Sequence, residues 1–313
     1  MFTDTRKKRD GDRFFWSFLL PKYWLTWLGL GVSILPSLLP YPCILTIGRW
    51  LGRGLYRVAR RRVHISRVNL EKCFPQWAPD AREALLKKNF ESIGMGVMEV
   101  SMAWWWPRRR FESNVQFKGL EHLGSEQGTI LLVLHFTSIE LAGRLVTLRQ
   151  SIDATYREHK NPVFEYMQRR RRQSFDPDGN LLGRLDVRGM LRSLRQGRVC
   201  WYAPDQDYGT RQSVFVPFFG IPAATVTGTS RFANLGRARV VPMMMNRLDD
   251  NQGYELSFYK AWENYPTDNE RKDTERLNQF VEDRVREQPE NYMWLHRRFK
   301  NRPEGEKGFY ESD

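Results

Sequence analysis

Residues 129–150 read TILLVLHFTSIELAGRLVTLRQ. The run at 129–134 has no polar alternation, which predicts a strand buried on both faces. His135 follows it directly, and Glu140 to Gln150 returns to helical periodicity. Ligands bind at the carboxyl ends of strands in open α/β sheets, so His135 stands where chemistry is done. Glu140 lies five residues further on. On one ideal helix that separation is about 500° and puts the two side chains on different faces. They meet only if His135 precedes the helix and Glu140 lies in its first turns, with Thr137 or Ser138 as N-cap. A carboxylate bonded to one imidazole nitrogen fixes the tautomer and leaves the other nitrogen to take a proton from a hydroxyl. By residue types alone, a structural histidine and a His135–Glu140 base pair both stay open.

The same strand and helix alternation extends outward. Apolar runs at 152–156, 198–203 and 238–245 predict buried strands, and YELSFYK at 254–260 alternates as another. Pro162 to Gln173, Val187 to Arg195, Val226 to Leu235 and Asp273 to Gln288 have helical spacing. Asn161-Pro162 is a helix start, and Gly197 and Gly236 are placed to end helices. Upstream, 79–100 predicts a long helix running toward Trp104-Trp105-Trp106, ended by Pro107 and Arg108 to Arg110. The tryptophans suit either a core or a membrane-interface wedge. Strands alternating with helices predict an α/β fold with a mainly parallel central sheet flanked by helices.

The chain has 313 residues, a formal net charge of +14 and 11 Trp. Charged residues at 27% and hydrophobic ones at 41% exclude a disordered polyelectrolyte and a multi-span transporter. Excess positive charge with many aromatics suits an anionic membrane surface, acidic substrates or nucleic acid, but no nucleic-acid motif accompanies it. Residues 23–48 lack a formal charge and are interrupted by Pro36, Pro40 and Pro42. Arg6, Lys7, Lys8, Arg9 and Arg13 precede them; Arg49, Arg53, Arg57, Arg60, Arg61 and Arg62 follow. Basic residues on both flanks suit a segment that dips into one leaflet and returns. The expected organisation is a basic N-terminus with a hydrophobic membrane anchor in 1–62 (core 23–48), then a catalytic domain in 63–313. Cys43, Cys73 and Cys200 are far apart and odd in number, which predicts no disulfide framework.

Asp205, in WYAPDQDYG, stands at another strand end, where a carboxylate binds a cation, orients an arginine or caps a turn. Arg169 to Arg172 form either a solvated face or a contact for phosphate or an acidic protein. The other histidines have no companion at metal-ligand spacing, and P-loop, GxGxxG, GxSxG and HExxH motifs are missing. No metal, nucleotide or other cofactor is expected.

HFTSIE at 135–140 resembles the H-x4-D/E block of the glycerolipid acyltransferase superfamily. YWLTWLGLGV at 23–32, NLEKCFP at 69–75, MAWWWP at 102–107, WYAPDQDYG at 201–209 and YMWLHRRFKNRPEG at 292–305 resemble the late acyltransferases of lipid A biosynthesis. The likeness spans about residues 20–305. It implies a glycerolipid acyltransferase-like fold and transfer of a lauroyl or palmitoleoyl chain from acyl carrier protein to a hydroxyacyl chain of Kdo2-lipid IV-A. It also implies contact with membrane phospholipids on the cytoplasmic side of a bacterial inner membrane. His135 and Glu140 are the implied catalytic pair; Arg172, Asp205 and Arg157 are the implied oxyanion or substrate contacts. The stretch 169–190 matches less closely, which leaves Arg172 interchangeable with its arginine neighbours. Alternatives are a myristoyl-transferring relative, a glycerophospholipid acyltransferase, or a non-catalytic basic membrane adaptor. APDQDYG standing where FPEGTR is usual opposes the glycerophospholipid reading.

Overall fold

The computed structural model describes residues 13–310. Arg6, Lys7, Lys8 and Arg9 of the basic N-terminus lie outside the described residues. The helices are α1 (Trp24–Val32), α2 (Tyr41–Val58), α3 (Arg60–Cys73), α4 (Pro79–Trp105), α5 (Arg108–Glu112), α6 (Ile139–Val146), α7 (Pro162–Phe175), α8 (Val187–Arg195), α9 (Gly228–Gly236) and α10 (Glu270–Glu287). The strands are β1 (Val115–Lys118), β2 (Thr129–Leu132), β3 (Asp153–Tyr156), β4 (Leu181–Gly183), β5 (Val199–Tyr202), β6 (Ser213–Phe218), β7 (Ile221–Val226), β8 (Arg239–Arg247) and β9 (Tyr254–Phe258). Seven strands form one sheet in the order β1-β9-β8-β2-β5-β3-β4, and β6 pairs with β7 as a separate hairpin. Every pairing in the large sheet is parallel except β8 with β9.

The uninterrupted apolar character of 129–134 has a simple cause. Leu131 and Val133 enter the core on one face of the sheet, while Ile130, Leu132 and Leu134 enter the core on the other. A strand covered on both faces needs no polar alternation. The expected helices at 162–173 and 187–195 are present, and Asn161 caps α7 by accepting from the Val163 and Phe164 amides. Gly197 takes the left-handed conformation after α8, but after α9 it is Arg237, and not Gly236, that does so. Gly236 instead lies against the Leu194 side chain.

The N-terminal region is helical but broken. Residues 23–48 comprise α1, a single 3-10 turn at Leu35–Leu38 and the start of α2. Pro36 and Pro40 cannot donate to a continuing helical ladder. Among the described residues no helix is long and apolar enough to cross a membrane. The outer face nonetheless leaves large apolar side chains in the open: Trp16 is 82% exposed, Leu25 80% and Trp50 65%. The inner face is bound to the rest of the molecule. Trp105 Nε1–H donates to Ser33 Oγ at 3.0 Å and Trp106 Nε1–H to the Ser37 carbonyl at 2.9 Å. Trp104 and Trp106 are buried, so those two rings belong to the core.

Helix α2 crosses α4 at backbone contact. A Cβ on Gly94 would stand 2.1 Å from the Gly48 carbonyl oxygen and 2.4 Å from the Gly52 nitrogen. Because the obstructing atoms are backbone, no rotamer change relieves them. Gly94→Val is therefore expected to destabilise the fold by about 3 kcal/mol, the upper part of the overpacking range. The urea unfolding midpoint measures this, and an unchanged midpoint would contradict the close crossing.

Candidate active site

Strands β2 and β5 are parallel neighbours, with Leu132 opposite Tyr202. Three residues beyond each strand end come His135 and Asp205, so sheet register brings them together. His135 Nδ1 lies 2.7 Å from Asp205 Oδ1, and the His135 amide donates to Oδ2 at 3.0 Å. A carboxylate has no proton to give, so Nδ1 carries the imidazole proton and Nε2 presents a lone pair when the ring is neutral. Asp205 is 1% exposed. Burial alone would push its pKa up. The charge on His135 and the hydrogen bonds from its ring and amide outweigh burial and hold the carboxyl below its ordinary range.

The orienting carboxylate expected from spacing, Glu140, is therefore corrected to Asp205. Among the described residues His135 makes no hydrogen bond or ion pair with Glu140. Ser138 occupies the N-cap of α6, so Glu140 lies in the first turn as expected. It faces α7 and the end of α4 instead of His135. Arg172 grips it with both edges of a fork: Nε to Oε1 at 3.1 Å and Nη2 to Oε2 at 2.5 Å. Trp104 Nε1–H adds a third bond at 3.0 Å. A planar guanidinium matches both carboxylate oxygens at once, which an imidazole cannot do. Burial opposes the charge on Glu140, but Arg172 and Trp104 keep its pKa below the ordinary carboxylate value.

The arginine run is not one solvated face. Arg169 is buried and donates to Tyr156 Oη, Arg170 is exposed, Arg171 stacks over Trp105 at 3.8 Å, and Arg172 holds Glu140. Arg157 lies in the exposed stretch after β3, with no hydrogen bond or ion pair among the described residues. The same residues contain no group of His, Cys, Asp and Glu fit to hold a metal ion.

Sequence reasoning missed the brace behind the histidine loop. Phe136 bridges to Tyr292, and the Met293 amide donates to the His135 carbonyl at 3.0 Å. The Thr137 amide donates to the Asn291 carbonyl at 2.8 Å. Arg247, at the end of β8, bonds both oxygens of buried Glu99, at 2.6 and 2.8 Å. It also donates to Ser92 Oγ, Asn291 Oδ1 and Thr137 Oγ1. Helix α4 backs the same loop so closely that a Cβ on Gly96 would stand 2.2 Å from the Thr137 carbonyl oxygen. These partners are 41 to 158 positions apart in sequence, so no local spacing exposes them.

A strand-end histidine, bonded to a buried carboxylate and unpartnered at Nε2 among the described residues, is arranged so that its ring can accept a proton. A family model described as bacterial lipid A biosynthesis acyltransferase matches residues 12–301. The lipid A biosynthesis lauroyltransferase of Escherichia coli (strain K12) is 41% identical over 298 residues, covering 94% of this chain and 97% of that protein. The palmitoleoyltransferase of the same organism is 41% identical, covering 94% and 96%. The myristoyltransferase is 30% identical over 303 residues, covering 93% and 91%. The chain belongs to the bacterial lipid A biosynthesis acyltransferase family, and it is an acyltransferase of lipid A biosynthesis.

The two carboxylates belong to two separate units, which a double-mutant cycle detects. Glu140→Gln and Arg172→Gln should be strongly non-additive in kcat, whereas Glu140→Gln and Asp205→Asn should combine nearly additively. Steady-state kinetics of the three single and two double variants measure this, and strong coupling of Glu140 to Asp205 alone would contradict the geometry. The sign of the acid dependence also follows. A carboxylate with a lowered folded-state pKa stabilises the fold above its unfolded value of about 4, and that contribution is lost as pH falls through the folded value. Glu140→Gln should therefore flatten the loss of stability as pH falls below about 4. Urea midpoints at each pH test this, and a wild-type slope would refute it.

Proposed function

We propose that the chain moves a lauroyl or palmitoleoyl group from acyl carrier protein to the hydroxyl of a hydroxyacyl chain on Kdo2-lipid IV-A. The observation that carries this reading is the His135–Asp205 contact, which leaves Nε2 open at the carboxyl end of β2. The acceptor hydroxyl attacks the thioester carbonyl carbon while His135 Nε2 takes its proton. Collapse of the tetrahedral intermediate breaks the carbon–sulfur bond, and the proton passes to the departing thiolate. Asp205 stabilises the imidazolium that forms between these steps. Arg172, with Nε and Nη2 on Glu140, keeps Nη1 for substrate oxygen; Arg157 is an outer contact for the anionic donor or acceptor. Beneath α6, Val133, Ile139, Ala142, Trp201, Met243 and Met245 line an apolar recess beside Phe136.

The acceptor is a membrane lipid, and the exposed apolar face of residues 14–50 gives the enzyme a way to meet it. Trp24, Leu25, Leu28, Leu35, Leu38 and Trp50 are all more than half exposed. Arg53 stacks on Trp50, and Arg57, Arg60, Arg61 and Arg62 stand exposed beyond it. Aromatic and aliphatic side chains bordered by arginines suit a helix lying in the headgroup region of an anionic leaflet. Residues 1–62 act as this anchoring part on the cytoplasmic face of the inner membrane, and the rest of the chain performs the transfer.

A purified enzyme given lauroyl- or palmitoleoyl-carrier protein and Kdo2-lipid IV-A should form the product with one further acyl chain. His135→Ala should lower turnover by about 10²–10⁴, the range for a general base. Near-normal turnover in a folded His135→Ala variant would refute the mechanism. Leu25→Glu with Leu28→Glu should weaken sedimentation with anionic phospholipid vesicles while leaving the unfolding midpoint in place. Wild-type vesicle binding by that variant would remove this face as the anchor.

A further inference from the structure

The turn that follows Met293 brings a second histidine to the site. The His296 amide donates to the Met293 carbonyl at 3.2 Å, and Met293 in turn holds the His135 carbonyl. Asn69 of α3 fixes the same turn by donating to the carbonyls of Trp294 and His296. On the other side, the Asp207 amide donates to His296 Nε2 at 3.1 Å. An amide can only donate, so Nε2 is the unprotonated nitrogen and the ring proton lies on Nδ1. Asp207 is itself locked, accepting from the amides of Gly209 and Asn301 and from Asn301 Nδ2. Among the described residues neither His296 Nδ1 nor His135 Nε2 has a hydrogen-bond partner, and neither is a fully enclosed atom.

The charges around the ring keep it neutral. Burial, His135 and Arg298 disfavour the imidazolium, while Asp205 and Asp207 favour it; the balance pushes the pKa down to about 4. Arg62 of α3 adds a further positive charge close by, with Nη1 on the Leu295 carbonyl. Neutrality matters for the neighbouring base. When His135 takes a proton it becomes a cation, and a second cation beside it would oppose that step.

We propose that His296 is a catalytic hydrogen-bond donor, presenting Nδ1–H to the thioester carbonyl oxygen as negative charge develops there. This rests on the acyl-transfer reading of the site and assigns the two histidines opposite duties. His135 offers a lone pair to the hydroxyl proton, and His296 offers a proton to the oxygen. Its N–H does not titrate in the working range, so the donor is present throughout turnover. Donors fixed before the reaction cost no reorganisation when charge appears.

Two isosteric substitutions separate this role from a structural one. Asparagine places an amide N–H near the Nδ1 position but cannot reach Asp207. Glutamine places an acceptor near the Nε2 position and keeps the Asp207 contact, but leaves nothing at Nδ1. His296→Gln should lower kcat by about 10²–10³ with little change in KM for the acyl carrier substrate, and His296→Asn should retain most of the activity. A purely structural histidine gives the reverse order. Ring 15N shifts of the full-length wild-type enzyme supply a readout that does not depend on the variants folding. They should show His296 neutral and protonated on Nδ1 from pH 7 down to about pH 5. An imidazolium, or a proton on Nε2, at pH 7 overturns the proposal. Active wild-type enzyme with an equally active His296→Gln variant overturns it alone, whereas wild-type enzyme inert toward carrier thioester and lipid acceptor overturns the acyl-transfer reading as well.

Discussion

The register between β2 and β5 is the constraint on which the site depends. Two parallel strands paired Leu132 to Tyr202 deliver their residues three positions later, His135 and Asp205, to one point above the sheet. A one-residue slip would turn the side chains of one strand to the opposite face, separating the pair and exposing half of the apolar run. Burial of Ile130, Leu131 and Leu132 on alternate faces therefore protects the chemistry as well as the core. The tight approach of α4 at Gly96 and the Arg247 brace then leave the loop 135–138 little freedom.

Around this point Asp205 and Glu99 are buried and Glu140 is half-buried, and each is matched differently. Asp205 meets an imidazole and amides, Glu140 a forked arginine and an indole, and Glu99 a forked arginine and the hydroxyl of Tyr254. Taking a carboxylate out of water costs several kcal/mol unless its lone pairs are filled, so such groups persist where their geometry is needed. Arginine suits the two bracing roles because it stays charged and bonds both oxygens. Histidine suits the remaining one because it can gain and lose a proton near neutral pH. Arg57, Arg60 and Arg61 form a different class of positive charge, exposed to solvent.

Much of this was legible from local sequence. The strand at 129–134, the histidine after it, the Asn161-Pro162 helix start and the helix at 187–195 all follow from patterns a few residues long. The His135 partner was not legible, because Glu140 is close in sequence and Asp205 is joined to His135 only through sheet pairing. The resemblance had singled out Asp205 without giving it that duty. The strands at 115–118 and 181–183 are only four and three residues long, too short for a period-2 pattern to stand out. The β6–β7 hairpin turns through Phe219-Gly220, both at positive φ, where a phenylalanine hides the usual turn signature. The Phe219 amide is held there by Glu282 of α10 at 2.7 Å, a contact no local pattern reveals. The uncharged stretch 23–48 was readable as apolar, but its division into α1, a 3-10 turn and α2 depends on docking against Trp105 and Trp106.

The central claim is that Asp205, and not Glu140, sets the tautomer of His135. Ring 15N shifts of His135 in wild-type, Asp205→Asn and Glu140→Gln proteins at neutral pH test it most directly. The Nδ1-protonated ring should give way to another tautomer or a mixture in Asp205→Asn and persist in Glu140→Gln. A His135 ring altered by Glu140→Gln and indifferent to Asp205→Asn would contradict the account.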